Sequence, residues 1–163
     1  MRGEGHFYQV YEKRAGVKND IPHLIPSADK KLLNIYREWE RENLNTAFSN
    51  ILTVGQKLFS LPQDMPQINK NIQILRAGVL LGEIDNGRFQ PAHALAACLK
   101  SDEANCIDVD ENTALNFLKG LTFNCDGAKG WKVVTYNNLP LGWCKASNGV
   151  AKNHLPKALR INK

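Results

Sequence analysis

No run of apolar residues in this 163-residue chain approaches the roughly 20 that a helix needs to cross a bilayer. The longest, Ala77 to Leu81, is interrupted by Gly78, and a membrane span is excluded. The first residues, MRGEGHFYQVYEKR, lack the basic start and continuous apolar block of a secretion signal. A cytoplasmic location is expected. Cysteine is sparse and poorly spaced for a metal, with Cys98, Cys106, Cys125 and Cys144 standing 8, 19 and 19 residues apart and no Cys-x-x-Cys pair among them. Structural zinc ligands cluster more tightly. These four read as free, partly buried thiols acting as small hydrophobes in a reducing compartment.

The catalytic signatures are missing too. Gly3-Glu4-Gly5 has neither the third glycine nor the preceding strand of a dinucleotide loop. No Gly-x-Ser-x-Gly is present and no cysteine has a histidine near it in sequence, so nucleophilic catalysis has no visible constellation. Asp108, Asp110 and Glu111 lie at the start of an expected helix, where capping explains them better than acid–base chemistry. A self-contained hydrolase or transferase is not expected. With 43% hydrophobic and 23% charged residues the chain is nonetheless ordinary globular material, and it should fold.

Acid is the scarcest thing in the last third. Residues 1 to 118 hold 13 Lys or Arg against 15 Asp or Glu, a balance of −2, whereas residues 119 to 163 hold 8 basic residues and only Asp126, a balance of +7. Such segregation is the electrostatic footprint of a nucleic-acid surface, although a plain solvated lysine face has the same charge count.

The expected elements are those of an α+β chain. Residues 5 to 13 alternate as a strand, and 14 to 26, with Gly16, Pro22 and Pro26, read as a linker. Ser27 is a candidate N-cap for a helix over 28 to 43, in which Leu32, Tyr36 and Trp39 share one face and belong to a core. Two short strands around Gly55 should end at Pro62. A buried strand pair bent at Gly78 or Gly82 should occupy 72 to 84, with a turn at Asp85-Asn86-Gly87. Pro91 opens a short helix to Leu99 with Leu95 and Leu99 inward, on which His93 is a packed histidine. Asp110 caps a helix to Leu118 whose Leu115 and Leu118 face inward. Strands then follow at 121 to 123, 131 to 136 and 139 to 146, the last two joined at Asn137-Asn138.

The run KGWKVVTYNNLPLGWCKASNGVAKNHLPKALR, residues 129 to 160, interleaves aromatics with lysines. That mixture suits RNA, with bases stacking on Trp131, Tyr136 or Trp143, lysines neutralising phosphates, and Asn148, Asn153 or His154 reaching sugar or base edges. The tryptophans could equally fill the core of a small barrel.

Several of these segments resemble a known family. LGWCKASNGVAKNHLPKALR is similar to the end of bacterial Sun-type (RsmF-like) rRNA cytosine-5 methyltransferases, through KGW, PLGW, NG and KNH-PK-LR. RAGVLLGEIDNGRFQPAHALA and Cys125-Asp126-Gly127 with Lys129-Gly130-Trp131 resemble the same C-terminal region in the same order, and RGEGHF resembles the last strand of the catalytic domain. Cys144 stands where glycine is more common, and Leu155 and Ala158 where tyrosine and glycine are.

The resemblance implies an α+β chain ending in a PUA-like β-barrel module. Residues 1–14 would be a remnant methyltransferase strand, 15–26 a linker, 27–110 a helix-plus-strand companion subdomain, and 111–163 the RNA-binding module. S-adenosylmethionine is expected only for a catalytic domain with a Pro-Cys motif, which this sequence lacks, so no cofactor or metal is assigned here. The implied partner is structured small-subunit rRNA. Lys129, Trp131, Trp143, Lys145, Asn148, Lys152, Asn153, His154, Lys157 and Arg160 are the candidate contacts. The competing expectation is a protein-interaction module docking on a separate methyltransferase domain, because an unpaired strand at 5 to 13 would seek a sheet.

Overall fold

The computed structural model describes residues 28–62 and 78–161. The expected strand at 5 to 13, the whole of the linker at 14 to 26, Ser27 and residues 72 to 77 lie outside them. No helix among the described residues is long and apolar enough to cross a membrane.

Helix α1, Lys30–Asn43, starts at Asp29, whose carboxylate accepts from the backbone N–H groups of Lys31 and Leu32 at 2.8 and 3.2 Å. Tyr36 and Trp39 are buried as its apolar stripe requires. Glu40 is buried beside them and fully partnered: Tyr36 Oη donates to it at 2.7 Å, the Phe48 N–H donates at 2.9 Å, and Arg37 pairs with its other oxygen. This knot fixes the chain after α1 onto the helix. Burial, then the bond to Glu40, drives the Tyr36 phenol far above its usual range.

The first sheet runs β1 (Ile51–Val54), β2 (Lys57–Ser60), β3 (Val79–Asp85) and β4 (Arg88–Pro91), all antiparallel and in spatial order β1-β2-β3-β4. The Asn86-Gly87 turn has positive φ at both residues, as the sequence demands. Two expectations change here. Residues 79 to 85 form one strand with a register shift against β2, its partner in the hairpin being β4. Pro91 closes β4 instead of opening a helix, and α2 begins later, spanning His93–Cys98. Proline's fixed φ suits a strand end as well as a first helical turn, which is why composition left the choice open. Gly82 is needed because a Cβ there would lie 2.2 Å from the Gln90 carbonyl oxygen and 2.5 Å from the Phe89 ring.

The second sheet, in order β5-β7-β8-β9-β6, comprises β5 (Cys106–Asp108), β6 (Phe123–Asn124), β7 (Gly130–Tyr136), β8 (Leu139–Ser147) and β9 (Val150–Asn153). It draws its first strand from residues ahead of 111, because β5 pairs parallel with β7 and reaches it only through a crossover that includes α3, Glu111–Leu118. Asp108 accepts from the buried Thr135 hydroxyl at 2.9 Å, while Asp110 is the helix cap, accepting from Thr113 N–H at 2.7 Å. Helix α3 buries Ala114 and Phe117, whereas Leu115 is 42% exposed and Leu118 half-buried, correcting the expected face. Apolar residues at 114, 115, 117 and 118 allow either rotation, and the larger ring takes the core.

One core joins the two sheets. Tyr36 and Trp39 of α1, Leu58, Leu81 and Phe89 of the first sheet, Leu95 and Leu99 around α2, and Trp131, Val133 and Trp143 of the second pack as a single cluster. On the other side of the second sheet Phe117, Cys125, Val134, Cys144, Ala146, Ala151 and Leu155 form a smaller one.

Candidate nucleic-acid interface

Strand alternation sets the two faces of β7, β8 and β9. Trp131 stands opposite Lys145, and Lys145 opposite Lys152, so one row of the sheet reads Trp131, Lys145, Lys152. The neighbouring row, Lys132, Cys144 and Asn153, faces the other way. Two like charges directly opposite one another are unfavourable. Neither lysine is relieved, for among the described residues the only ion pair is Arg37 with Glu40. Lys145 Nζ instead lies 5.3 Å from the centroid of the Trp131 ring, a cation–π contact.

His154 completes the group. Its N–H donates to the Trp143 carbonyl at 3.0 Å, continuing the β8–β9 ladder, and its ring meets Trp131 edge-on with centroids 4.6 Å apart. Burial against that ring, then Lys145 and Lys152, holds the imidazole below its usual range. An exposed histidine and two exposed, unpaired lysines thus share one apolar shelf.

The remaining candidates sit elsewhere. Trp143 is 2% exposed, its indole N–H donating to the Ala92 carbonyl at 3.0 Å and its ring packed edge-on against Trp39 and Trp131. It is a core residue and offers no face to a base. Trp131 is 7% exposed, enough to support the shelf and too little to stack a nucleotide. Asn153 is turned inward, its amide donating to the Phe117 and Leu121 carbonyls at 2.7 and 3.1 Å and its oxygen accepting from Leu155 N–H at 2.8 Å. It ties β9 to the end of α3. Arg160 is likewise structural: Nε and Nη2 donate to the Leu155 carbonyl at 3.1 and 3.0 Å, and the side chain lies where a Cβ on Gly120 would be. Asn148 is exposed in a tight turn with Gly149, φ 50° and 76°. Lys129 and Lys157 are exposed, the first just before β7 and the second on a short 3-10 turn, Lys157–Leu159.

The other reactive groups are quiet. Cys125 and Cys144 are buried, and burial pushes the Cys144 thiol up to about 12; Cys98 and Cys106 are also raised by burial. None of these three raised thiols is an activated nucleophile. His93 Nδ1 is buried without a hydrogen-bond partner among the described residues, and burial lowers its pKa. Among the described residues no group of three His, Cys, Asp or Glu is placed to hold a metal. The three α-helices of the described residues open behind Asp29, Ala92 and Asp110, and none follows a glycine-rich loop.

Two family models match the chain in sequence. Residues 104–161 match the methyltransferase RsmF PUA domain, and residues 38–99 match the RsmF rRNA methyltransferase first C-terminal domain. The chain belongs to the RsmF family. The PUA match coincides with the second sheet and its helix, and the other with the end of α1, the first sheet and α2. Relatives carry the name ribosomal RNA small subunit methyltransferase F. That of Shewanella baltica is 24% identical over 173 residues, taking in 96% of this chain and 35% of the relative; that of Shewanella oneidensis is 25% identical over 112 residues, 67% and 24% respectively. The chain thus spans between a quarter and about a third of the curated relatives' length. It corresponds to C-terminal domains of RsmF, and its second sheet is a PUA-type module.

Proposed function

We propose that the chain binds structured RNA, in the manner of the C-terminal part of an rRNA (cytosine-5) methyltransferase, and positions small-subunit rRNA for a catalytic domain. The observation that carries this reading is the row of Lys145 and Lys152, cross-strand, without an ion pair among the described residues and flanked by His154, in a segment whose charges are almost all positive. The relatives named as small-subunit rRNA methyltransferases support the choice of RNA. Phosphates would meet the lysine row first, with Lys129 and Lys157 adding to the field and no buried tryptophan being drawn out. In this reading the chain supplies binding alone, and S-adenosylmethionine chemistry belongs to the catalytic domain.

The test is equilibrium binding to small-subunit rRNA fragments and to an unrelated duplex DNA across about 50 to 200 mM salt. Each phosphate contact contributes a slope of about −0.7 to −0.9 in log K against log salt, so two to four contacts weaken binding by roughly one to two orders of magnitude over that range. Structured RNA should be preferred. Absence of RNA binding even at the lowest salt would refute the reading and turn attention to a protein partner, such as a separate methyltransferase domain.

A further inference from the structure

We infer that Lys145, Lys152 and His154 form one phosphate subsite in which a backbone phosphate of RNA, on binding, brings a proton onto the His154 imidazole. This rests on the RNA-binding reading above. It makes affinity depend on pH within the histidine range.

The geometry fixes the three groups relative to one another. Lys145 and Lys152 are held opposite by the β8–β9 register, and the two-residue turn at Asn148-Gly149 leaves that register no slack. His154 cannot drift, since its N–H is bonded to the Trp143 carbonyl and its ring rests against Trp131. Trp131 also carries the Lys145 ammonium, so a single rigid indole positions two of the three groups.

The charges facing the imidazole have one sign. From β8 it meets Lys145, from β9 Lys152, and from β7 the uncharged Trp131; Lys132 points to the other side of the sheet. No carboxylate among the described residues acts on it. Without an anion, a proton on His154 would be the third positive charge on a small apolar shelf, and the ring stays neutral. An oxyanion between the lysines reverses the local potential and gives an imidazolium N–H an acceptor, which favours the charged form. The free pKa lies below the ordinary value of about 6.5 and a bound phosphate displaces it upward, so binding takes up as much as one proton between the free and bound values. Affinity then increases as pH falls, by at most about tenfold per pH unit, and levels off once the ring is neutral in both states.

The test is the dissociation constant for a structured small-subunit rRNA fragment at constant ionic strength from about pH 5.5 to 8, for the wild-type chain and for His154→Gln. The expected result is severalfold tighter wild-type binding between pH 7.5 and 6, and a flat profile for His154→Gln that meets the wild type near pH 8. Direct titration of the His154 ring by NMR, with and without saturating RNA, should show its pKa displaced upward by RNA. An unmoved pKa, or full pH dependence retained in His154→Gln, would overturn the subsite. Lysine-dependent, salt-sensitive binding without pH dependence would overturn the subsite and leave the RNA-binding reading standing, whereas no RNA binding at any pH would overturn both.

Discussion

Replacing Trp143 with alanine should lower the chain's unfolding free energy by about 3–5 kcal/mol, a large share of the roughly 5–15 kcal/mol usual for a domain. The indole is 2% exposed, packs edge-on against Trp39 of α1 at 5.7 Å and Trp131 of β7 at 6.2 Å, and satisfies the Ala92 carbonyl just before α2. Truncation removes contacts to three elements at once and takes from the Ala92 carbonyl one of its two donors, the other being the Leu95 N–H at 3.1 Å. Because this core cluster draws on both sheets, the loss should be felt by both. A urea titration followed by far-UV circular dichroism and by fluorescence should show one displaced transition with the two probes coincident. A midpoint unchanged by the substitution would mean that Trp143 faces solvent, and the base-stacking role suggested by sequence would return.

The second large effect is on binding. Lys145→Glu with Lys152→Glu should weaken RNA affinity by at least about tenfold at low salt and reduce the salt slope by roughly 1.4–1.8, the share of two phosphate contacts. The fold should survive. Both side chains are exposed, so the stability change should stay within about 1 kcal/mol, chiefly the lost cation–π contact with Trp131. Charge reversal also creates two unpaired carboxylates in the row where the phosphate would lie, which is why it is more informative than truncation. Unaltered binding in a folded double variant would remove the lysine row from the interface.

These two experiments separate roles that the sequence runs together. Tryptophan alternating with lysine is the pattern of an RNA platform and equally that of a strand with one face on a core, because period-two alternation does not say what lies opposite. Trp131 and Val133 face the first sheet, built from residues at least 40 positions earlier, and that partnership is non-local. Asn153 gave the same ambiguity: a polar residue among lysines looks available for RNA, and only the fold shows that its three hydrogen bonds are spent joining β9 to α3. The elements with strong local signals were legible, namely α1 from the spacing of Leu32, Tyr36 and Trp39, and the hairpin at Asn137-Asn138, whose φ values of 50° and 62° suit asparagine. Strand β5 was not, since three residues paired in parallel across a crossover leave almost no periodicity to read. The lysine row lay between these cases. A two-residue turn at Asn148-Gly149 already places Lys145 opposite Lys152, but their unpaired state depends on where every acid falls in the fold.

The most direct test of the account is a hydrogen-exchange footprint of the chain with and without saturating small-subunit rRNA fragment. The expected result is new protection concentrated on β8 and β9 from Lys145 through His154, with α1 and the first sheet little changed. Protection confined to α1 or the first sheet, with β8 and β9 exchanging as in the free chain, would contradict the assignment of this face to RNA.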